Sequence, residues 1–151
     1  METVTGGVMR KVAVVYTTQT GETGKLAKAI AEGVVLAGGE AKLFKMEELS
    51  DILELENFDA IAVGTPTQEG KEVPAAREFL EKLLASGIRG KYAGAFGSCG
   101  WSGEAPYIAA LFLERECSMK MASEPLKVQQ GVRDSGLDVA RAFGMKMVFG
   151  G

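Results

Sequence analysis

Histidine is absent from all 151 residues. Its absence removes the commonest general base, the commonest transition-metal ligand and every Ser-His or Cys-His arrangement. Cysteine is scarce as well. Cys99 and Cys117 are the only two and form no CxxC, so neither a disulfide framework nor a thiolate metal cage can be read from their spacing, and a reducing compartment fits. No apolar run approaches the roughly 20 residues that span a bilayer. Residues 1–10 offer neither a basic n-region nor an apolar h-region, so a cytoplasmic location with no membrane partner is expected. The 17 basic and 20 acidic residues leave a net charge of -3, with no Lys/Arg run that could track a phosphate backbone. Nucleic acid is not an expected partner.

What is present is apolar and regularly spaced. With 46% hydrophobic residues the chain can bury one core and is too short for two ordinary domains, so 11–151 is read as one domain behind a loose tail at 1–10. Five short apolar runs, at 12–16, 41–45, 60–64, 92–97 and 126–129, read as strands. The first, third and fourth are apolar almost throughout, as parallel strands covered on both faces are; the second and fifth alternate as edge strands do. Between them lie helical stripes: Leu26, Ala27, Ile30, Ala31 and Val34; Phe79, Leu80, Leu83 and Leu84; Ile108, Leu111 and Phe112; Ala140 and Phe143. Pro74 and Pro106 stand where helices begin, since a helix start does not need the missing N–H. The segment 47–57 is a weaker helix or turn. This alternation predicts an α/β, doubly wound, five-stranded parallel sheet of order 2-1-3-4-5 with helices on both faces, and a ligand beyond the carboxyl ends of the strands.

Three loops at those ends carry the chemistry. After the first strand, Thr18, Gln19, Thr20, Gly21, Glu22 and Thr23 lead straight into a helix. Unpaired backbone N–H groups, hydroxyls and a helix N-terminus can together hold a phosphate; the same residues also serve as an ordinary helix cap. Neither GxxxxGK[ST] nor GxGxxG is present, so the usual signatures of nucleoside triphosphates and NAD are missing. The third strand ends in Pro66, Thr67, Gln68, Glu69 and Gly70, at the topological switch point; a plain strand-to-helix turn would use similar residues. The fourth runs into Ser98, Cys99, Gly100, Trp101, Ser102 and Gly103, with the single Trp among small residues. There a flat indole can face a flat ring while bare backbone approaches its edge; a core Trp is the alternative. Ser102 is a candidate N-cap for the next helix.

Thr18, Thr20, Gly21 and Thr23 match the flavodoxin phosphate pattern [ST]-x-T-G-x-T, and the loops GTPTQEG and FGSCGWSGEA resemble those of the flavodoxin domain of flavodiiron proteins. The resemblance runs from Lys11 to the end and implies a flavodoxin-like fold of the short-chain type with non-covalent FMN. It places the phosphate at 18–23 and the isoalloxazine at 66–70 and 98–103. It also implies that a peptide near Gly70 turns its carbonyl toward flavin N5 on reduction. Many flavodoxins carry an aromatic in the second loop and a Tyr in the third. Here Gln68 and Trp101 stand instead, which leaves one flavin face to a partner or to a second copy in a homodimer.

The implied function is an FMN-binding electron carrier working at low potential between redox partners such as ferredoxin, rubredoxin or a flavin reductase. Glu22, Glu69, Glu72 and Glu104 would lower the flavin potential and steer a basic partner; alternatively they are solvated helix-start carboxylates. The competing reading is an NAD(P)H-dependent FMN or quinone reductase on the same fold. A CheY-like receiver is excluded because Tyr16, Thr17 and Thr18 stand where an acidic pair is needed. Flavodiiron proteins reduce oxygen or nitric oxide at a histidine-bound diiron site, and this chain supplies no histidine for one. Cys99 lacks a neighbouring cysteine or histidine to activate it and reads as a packing residue.

Overall fold

The computed structural model describes residues 9–100, 103–129 and 133–151. In chain order, β1 (Lys11–Tyr16) is followed by α1 (Glu22–Leu36), β2 (Glu40–Lys45) and β3 (Ala60–Gly64). A small hairpin, β4 (Thr67–Gln68) and β5 (Lys71–Glu72), precedes α2 (Pro74–Ser86) and β6 (Tyr92–Cys99). Then come α3 (Glu104–Leu111), β7 (Lys120–Met121), β8 (Leu126–Gln129) and α4 (Asp134–Phe149). The main sheet is parallel, ordered β2-β1-β3-β6, with β7 and β8 both on the outer edge of β6.

Alternation along β1 divides the core. Val12, Val14 and Tyr16 face α1 and α4, together with Leu26, Ile30, Phe143 and Met147. Ala13 and Val15 face the other way, into the cluster formed with Phe79, Leu80, Leu83 and Leu113. Both faces are covered, so every residue of β3 is buried, and so is all of β1 apart from Lys11. Each fully buried Leu or Ile contributes about 1.5–3 kcal/mol. The outer strands keep one face in solvent and show it in their burial patterns.

The expected fifth strand is in two pieces. β8 pairs with Phe96 to Cys99 of β6, whereas the unforeseen β7 pairs with Tyr92 and Ala93. Between them lie residues 122–125, ending in Pro125, which has no N–H to give a ladder. Two residues are too few to show a period, so β7 left no trace in the sequence pattern.

The third helical stripe also needs correction. α3 buries its small residues, Ala105, Pro106, Ala109 and Ala110, while Leu111 is 47% exposed and Ile108 half-buried. The helix then widens over Phe112–Glu116, where Cys117 N–H donates to the Phe112 carbonyl at 3.1 Å, and this turns Leu113 inward. Segment 47–57 contains two short 3-10 turns, Met46–Glu48 and Ile52–Asn57, the second capped by the Asp51 carboxylate accepting from Leu53 N–H at 3.0 Å. Pro74 opens α2 as expected. Pro106 is the third residue of α3, still within the turn that tolerates proline.

Residues 1–8 of the expected tail lie outside the described residues. Arg10 is tied into the domain: its guanidinium donates to the carbonyls of Met147 (3.2 Å) and Gly150 (2.7 Å) and lies 3.6 Å from the Tyr92 ring centroid. Among the described residues no helix is long and apolar enough to cross a membrane.

Candidate functional site

The carboxyl ends of β1, β3 and β6 bring the three loops to one edge of the sheet, and hydrogen bonds lace them together. Thr17 N–H donates to the Gly64 carbonyl and Thr65 N–H to the Phe96 carbonyl, both at 3.0 Å, extending the parallel ladders one residue past the strands. A side chain on Gly97 would overlap the Thr65 carbonyl, so the second loop rests directly on the β6 backbone.

The first loop is built around Gly21, the N-cap of α1, at φ +91° where only glycine is unstrained. Thr18 Oγ1 accepts from Gly21 N–H at 3.0 Å and closes the turn. Among the described residues no side chain caps α1, and the positive end of its dipole beside the loop favours an anion. Gln19, Thr20 and Gly21 are exposed, and Thr18 and Glu22 are half-buried. The Glu22 carboxylate lies 3.7 Å from Lys25 Nζ. Thr17, which the sequence did not single out, donates from Oγ1 to Glu47 at 2.6 Å and fixes the loop's base. Its type and position gave no signal, because the partner lies 30 residues away.

Thr23 departs from the other members of its motif. It is 1% exposed, and its hydroxyl lies 2.7 Å from that of Ser98, itself 2% exposed. The first loop and the third loop therefore meet through their buried hydroxyls.

The second loop is the β4–β5 hairpin. Its two-residue turn, Glu69 and Gly70, has positive φ at both positions (52° and 77°), the pattern of a type I′ turn whose twist matches paired strands. Glycine takes this conformation freely; Glu69 is a non-glycine residue in the left-handed region. Gln68 and Glu69 are exposed, Thr67 and Gly70 half-buried, Pro66 buried. Gln19 Nε2 reaches Gln68 Oε1 at 3.5 Å across the mouth between the first two loops. Thr67 Oγ1 accepts from Ala105 N–H at 3.1 Å, joining the hairpin to the first turn of α3. Glu72 is not a solvated carboxylate: it is 8% exposed, and its Oε2 has no hydrogen-bond partner among the described residues.

In the third loop Ser98 and Cys99 complete β6, Gly100 is exposed and Gly103 buried. Trp101 and Ser102 lie outside the described residues. The N-cap of α3 is Gly103 rather than Ser102, and it makes no side-chain cap bond. Burial pushes the Cys99 thiol pKa up; Lys127 offsets this in part and Glu104 adds to it. Cys99 Sγ donates to the Val128 carbonyl at 3.7 Å.

A doubly wound parallel sheet with a helix N-terminus after β1, and two further loops flanking the switch point, is the architecture in which nucleotide-type ligands bind beyond the carboxyl ends of the strands. The flavodoxin family model matches residues 14–139, and the chain belongs to that family. It is a flavodoxin-like domain whose cofactor is FMN. The type A flavoprotein fprA of Rhodobacter capsulatus is 34% identical over 145 residues, covering 93% of this chain and 33% of that protein. The nitric oxide reductase of Moorella thermoacetica is 31% identical over 136 residues, covering 88% and 34%. The chain thus spans about a third of the length of these curated relatives. Among solved structures, a flavodoxin from the domain Archaea superposes with TM-score 0.86 at 32% identity, covering 92% of this chain and 96% of that one. Rubredoxin oxygen:oxidoreductase from Desulfovibrio gigas gives 0.86 at 25% identity, covering 92% and 35%.

Proposed function

We propose that this chain passes electrons through bound FMN between protein redox partners at low potential. The phosphate is held by the N–H groups opening α1 and by the hydroxyls of Thr18 and Thr20, around Gln19, Gly21 and Glu22. The ring lies between the second loop, Pro66 to Gly70, and the third, from Ser98 to Gly103. When bound, FMN supplies one- and two-electron chemistry that needs no protein acid or base, in keeping with a chain that has no histidine. The observation that carries this reading is the common edge formed by the exposed tips of all three loops: Gln19, Thr20, Gln68, Glu69 and Gly100. A ring held there by its inner side keeps an outer edge open to a partner.

The chain's own residues set the electrostatics of the ring. Glu72, buried in β5 of the second loop with its Oε2 lacking a hydrogen-bond partner among the described residues, opposes added negative charge and so lowers the potential. Glu69, exposed at the hairpin tip, favours approach of a partner with a basic face. Rubredoxin is a partner suggested by the name of the D. gigas structure; ferredoxin and a flavin reductase are the other candidates.

The test is stopped-flow mixing of the chemically reduced holoprotein with oxidised rubredoxin or ferredoxin, beside a steady-state NAD(P)H oxidation assay with added FMN or quinone. Fast, salt-dependent transfer to a protein acceptor with no steady NAD(P)H turnover is the expected result. Sustained NAD(P)H oxidation without a partner favours the reductase instead.

A further inference from the structure

We propose that the outward face of α4 is a self-association surface, on which a second copy of this chain seats antiparallel about a two-fold axis through Ala142. The surface lies apart from the three loops and does not depend on the flavin reading.

Exposed apolar side chains concentrate in one layer of the domain. Of the ten large hydrophobic residues exposed among those described, five lie on the neighbouring helices α1 and α4: Val35, Leu36, Val139, Met145 and Phe149. Single exposed apolar residues are ordinary on any surface; a row of them on one helix is not. On α4 the row is Val139 (51% exposed), Ala142, Met145 (38%) and Phe149 (69%), at the three- and four-residue spacing of one helix face. Ala140, Phe143 and Met147 of the same helix fill the core. The helix is thus apolar on two sides, and the fold covers one of them.

The occupant follows from how charge is arranged around the row. Two ridges of side chains cross at Ala142: Asp138, Ala142 and Lys146 at intervals of four, and Val139, Ala142 and Met145 at intervals of three. A small residue at the crossing lets another helix come close there. When that helix is a copy of α4 running antiparallel about Ala142, each residue before Ala142 meets the one at the same distance after it. Asp138 then meets Lys146 of the other copy, twice over by symmetry, and Val139 meets Met145. All four side chains are exposed, and among the described residues no carboxylate pairs with Lys146. Asp138 holds its own Arg141 at 3.0 Å with its side chain still 75% exposed, which leaves it open to a second cation. A parallel copy would set Asp138 against Asp138 and Lys146 against Lys146. The exposed ion pairs fix the register, while the apolar row supplies the attraction. A seam of one helix per copy is at the small end of specific interfaces, so the association depends on concentration.

The two-fold axis also decides what the dimer leaves free. α4 begins after β8, at the loop edge of the sheet, and ends beside the start of β1, where Arg10 donates to the Gly150 carbonyl at 2.7 Å. Antiparallel α4 helices therefore send the two loop edges in opposite directions, and neither copy sits over the other's loops.

The experiment is sedimentation equilibrium of the chain at concentrations up to about 1 mM, where even a weak dimer is populated. The wild-type chain is expected to show a monomer–dimer equilibrium. Met145→Glu should weaken it at least about tenfold by placing a carboxylate in the apolar seam. Asp138→Lys and Lys146→Asp should each weaken it, and the double variant Asp138→Lys/Lys146→Asp should restore it, because the exchange keeps both pairs. Ala142→Cys, on the axis, should form a disulfide with its own copy under mild oxidation, the native Cys99 and Cys117 being buried, whereas Val35→Cys should not. Leu111→Glu, on α3, should leave the equilibrium unchanged. Urea unfolding checks that each variant is folded; should Met145→Glu not fold, the charge exchange decides. A wild-type chain that stays monomeric at about 1 mM overturns the proposal and leaves the face to a different protein. A dimer that survives Met145→Glu, that is lost in Leu111→Glu, or that the double variant fails to restore overturns it as well.

Discussion

Gly33 of α1 and Gly144 of α4 meet with no side chain between the helices. A Cβ on Gly33 would overlap the Arg141 carbonyl, and one on Gly144 would overlap the Ile30 carbonyl. Arg141 also reaches Glu32 at 3.0 Å across the same crossing, so the contact is fixed laterally as well. This seating sets where the α1 N-terminus stands over the first loop.

Gly33→Ala should therefore destabilise the fold. Alanine gains up to about 1 kcal/mol in helix propensity, but forcing the helices apart costs about 1–3 kcal/mol or more. Equilibrium urea unfolding of the apoprotein checks the sign, and a more stable variant would show that the helices separate freely.

Removing the exposed hydroxyl donor in the first loop should discriminate between flavins. Thr20→Val is expected to lose about 1.5–3 kcal/mol of FMN binding, the range for hydrogen bonds to charged groups, and to leave riboflavin unaffected. Titration by flavin fluorescence measures both. Equal losses would remove the phosphate from this loop.

Gly70 is strained by any Cβ through its dihedral, not through crowding. Its φ is +77°, and the nearest atom a Cβ would meet is Glu104 Oε2 at an ordinary 3.7 Å. Gly70→Ala should cost about 1–2 kcal/mol in the present turn. If the turn changes conformation with the flavin's redox state, that cost is unequal in the two states, and the one-electron potentials move by tens of millivolts. Spectroelectrochemical titration reads this directly.

Trp101 is the chain's only tryptophan, which makes its emission a clean probe. FMN added to apoprotein should quench it with one-to-one stoichiometry, and Trp101→Ala should weaken FMN by about 1–3 kcal/mol if the indole stacks on the ring. Wild-type affinity with a large loss of stability, about 3–5 kcal/mol, would instead make it a packing residue.

The two buried thiols give an alkaline dependence. Burial raises the pKa of Cys99 and of Cys117 above the ordinary thiol value, Arg89 opposing this and Glu116 adding to it at Cys117. A thiol with a raised folded pKa contributes stability that is complete below the unfolded pKa and is lost as pH rises through the folded one. Unfolding midpoints should therefore fall on the alkaline side, less steeply in Cys117→Ala. Alkylation of the native protein by iodoacetamide at pH 8 should be slower than in urea.

Periodicity and loop chemistry in the sequence were enough for the alternating strands and helices, the strand order and the three loops. Continuous apolar runs such as 60–64, bounded by turn residues and alternating with helical stripes, read as strands covered on both sides, and the TQTGET turn gained its meaning from standing between a strand and a helix with two further loops in order. What failed were features with no local signature. Two-residue β7 and the β4–β5 hairpin are too short to have a period, and α3 buries alanines while exposing Leu111.

By itself the sequence carried the fold through residue type and local order, and the FMN cofactor through its resemblance to the flavodoxins. Tertiary structure alone decided the direction of each side chain. It set the Thr23 hydroxyl against that of Ser98, 75 residues later, and it buried Glu72 within the hairpin. The physical reason is that a hydroxyl or carboxylate is oriented by whatever partner and solvent surround it. Those surroundings are assembled from distant segments only when the sheet and its helices close.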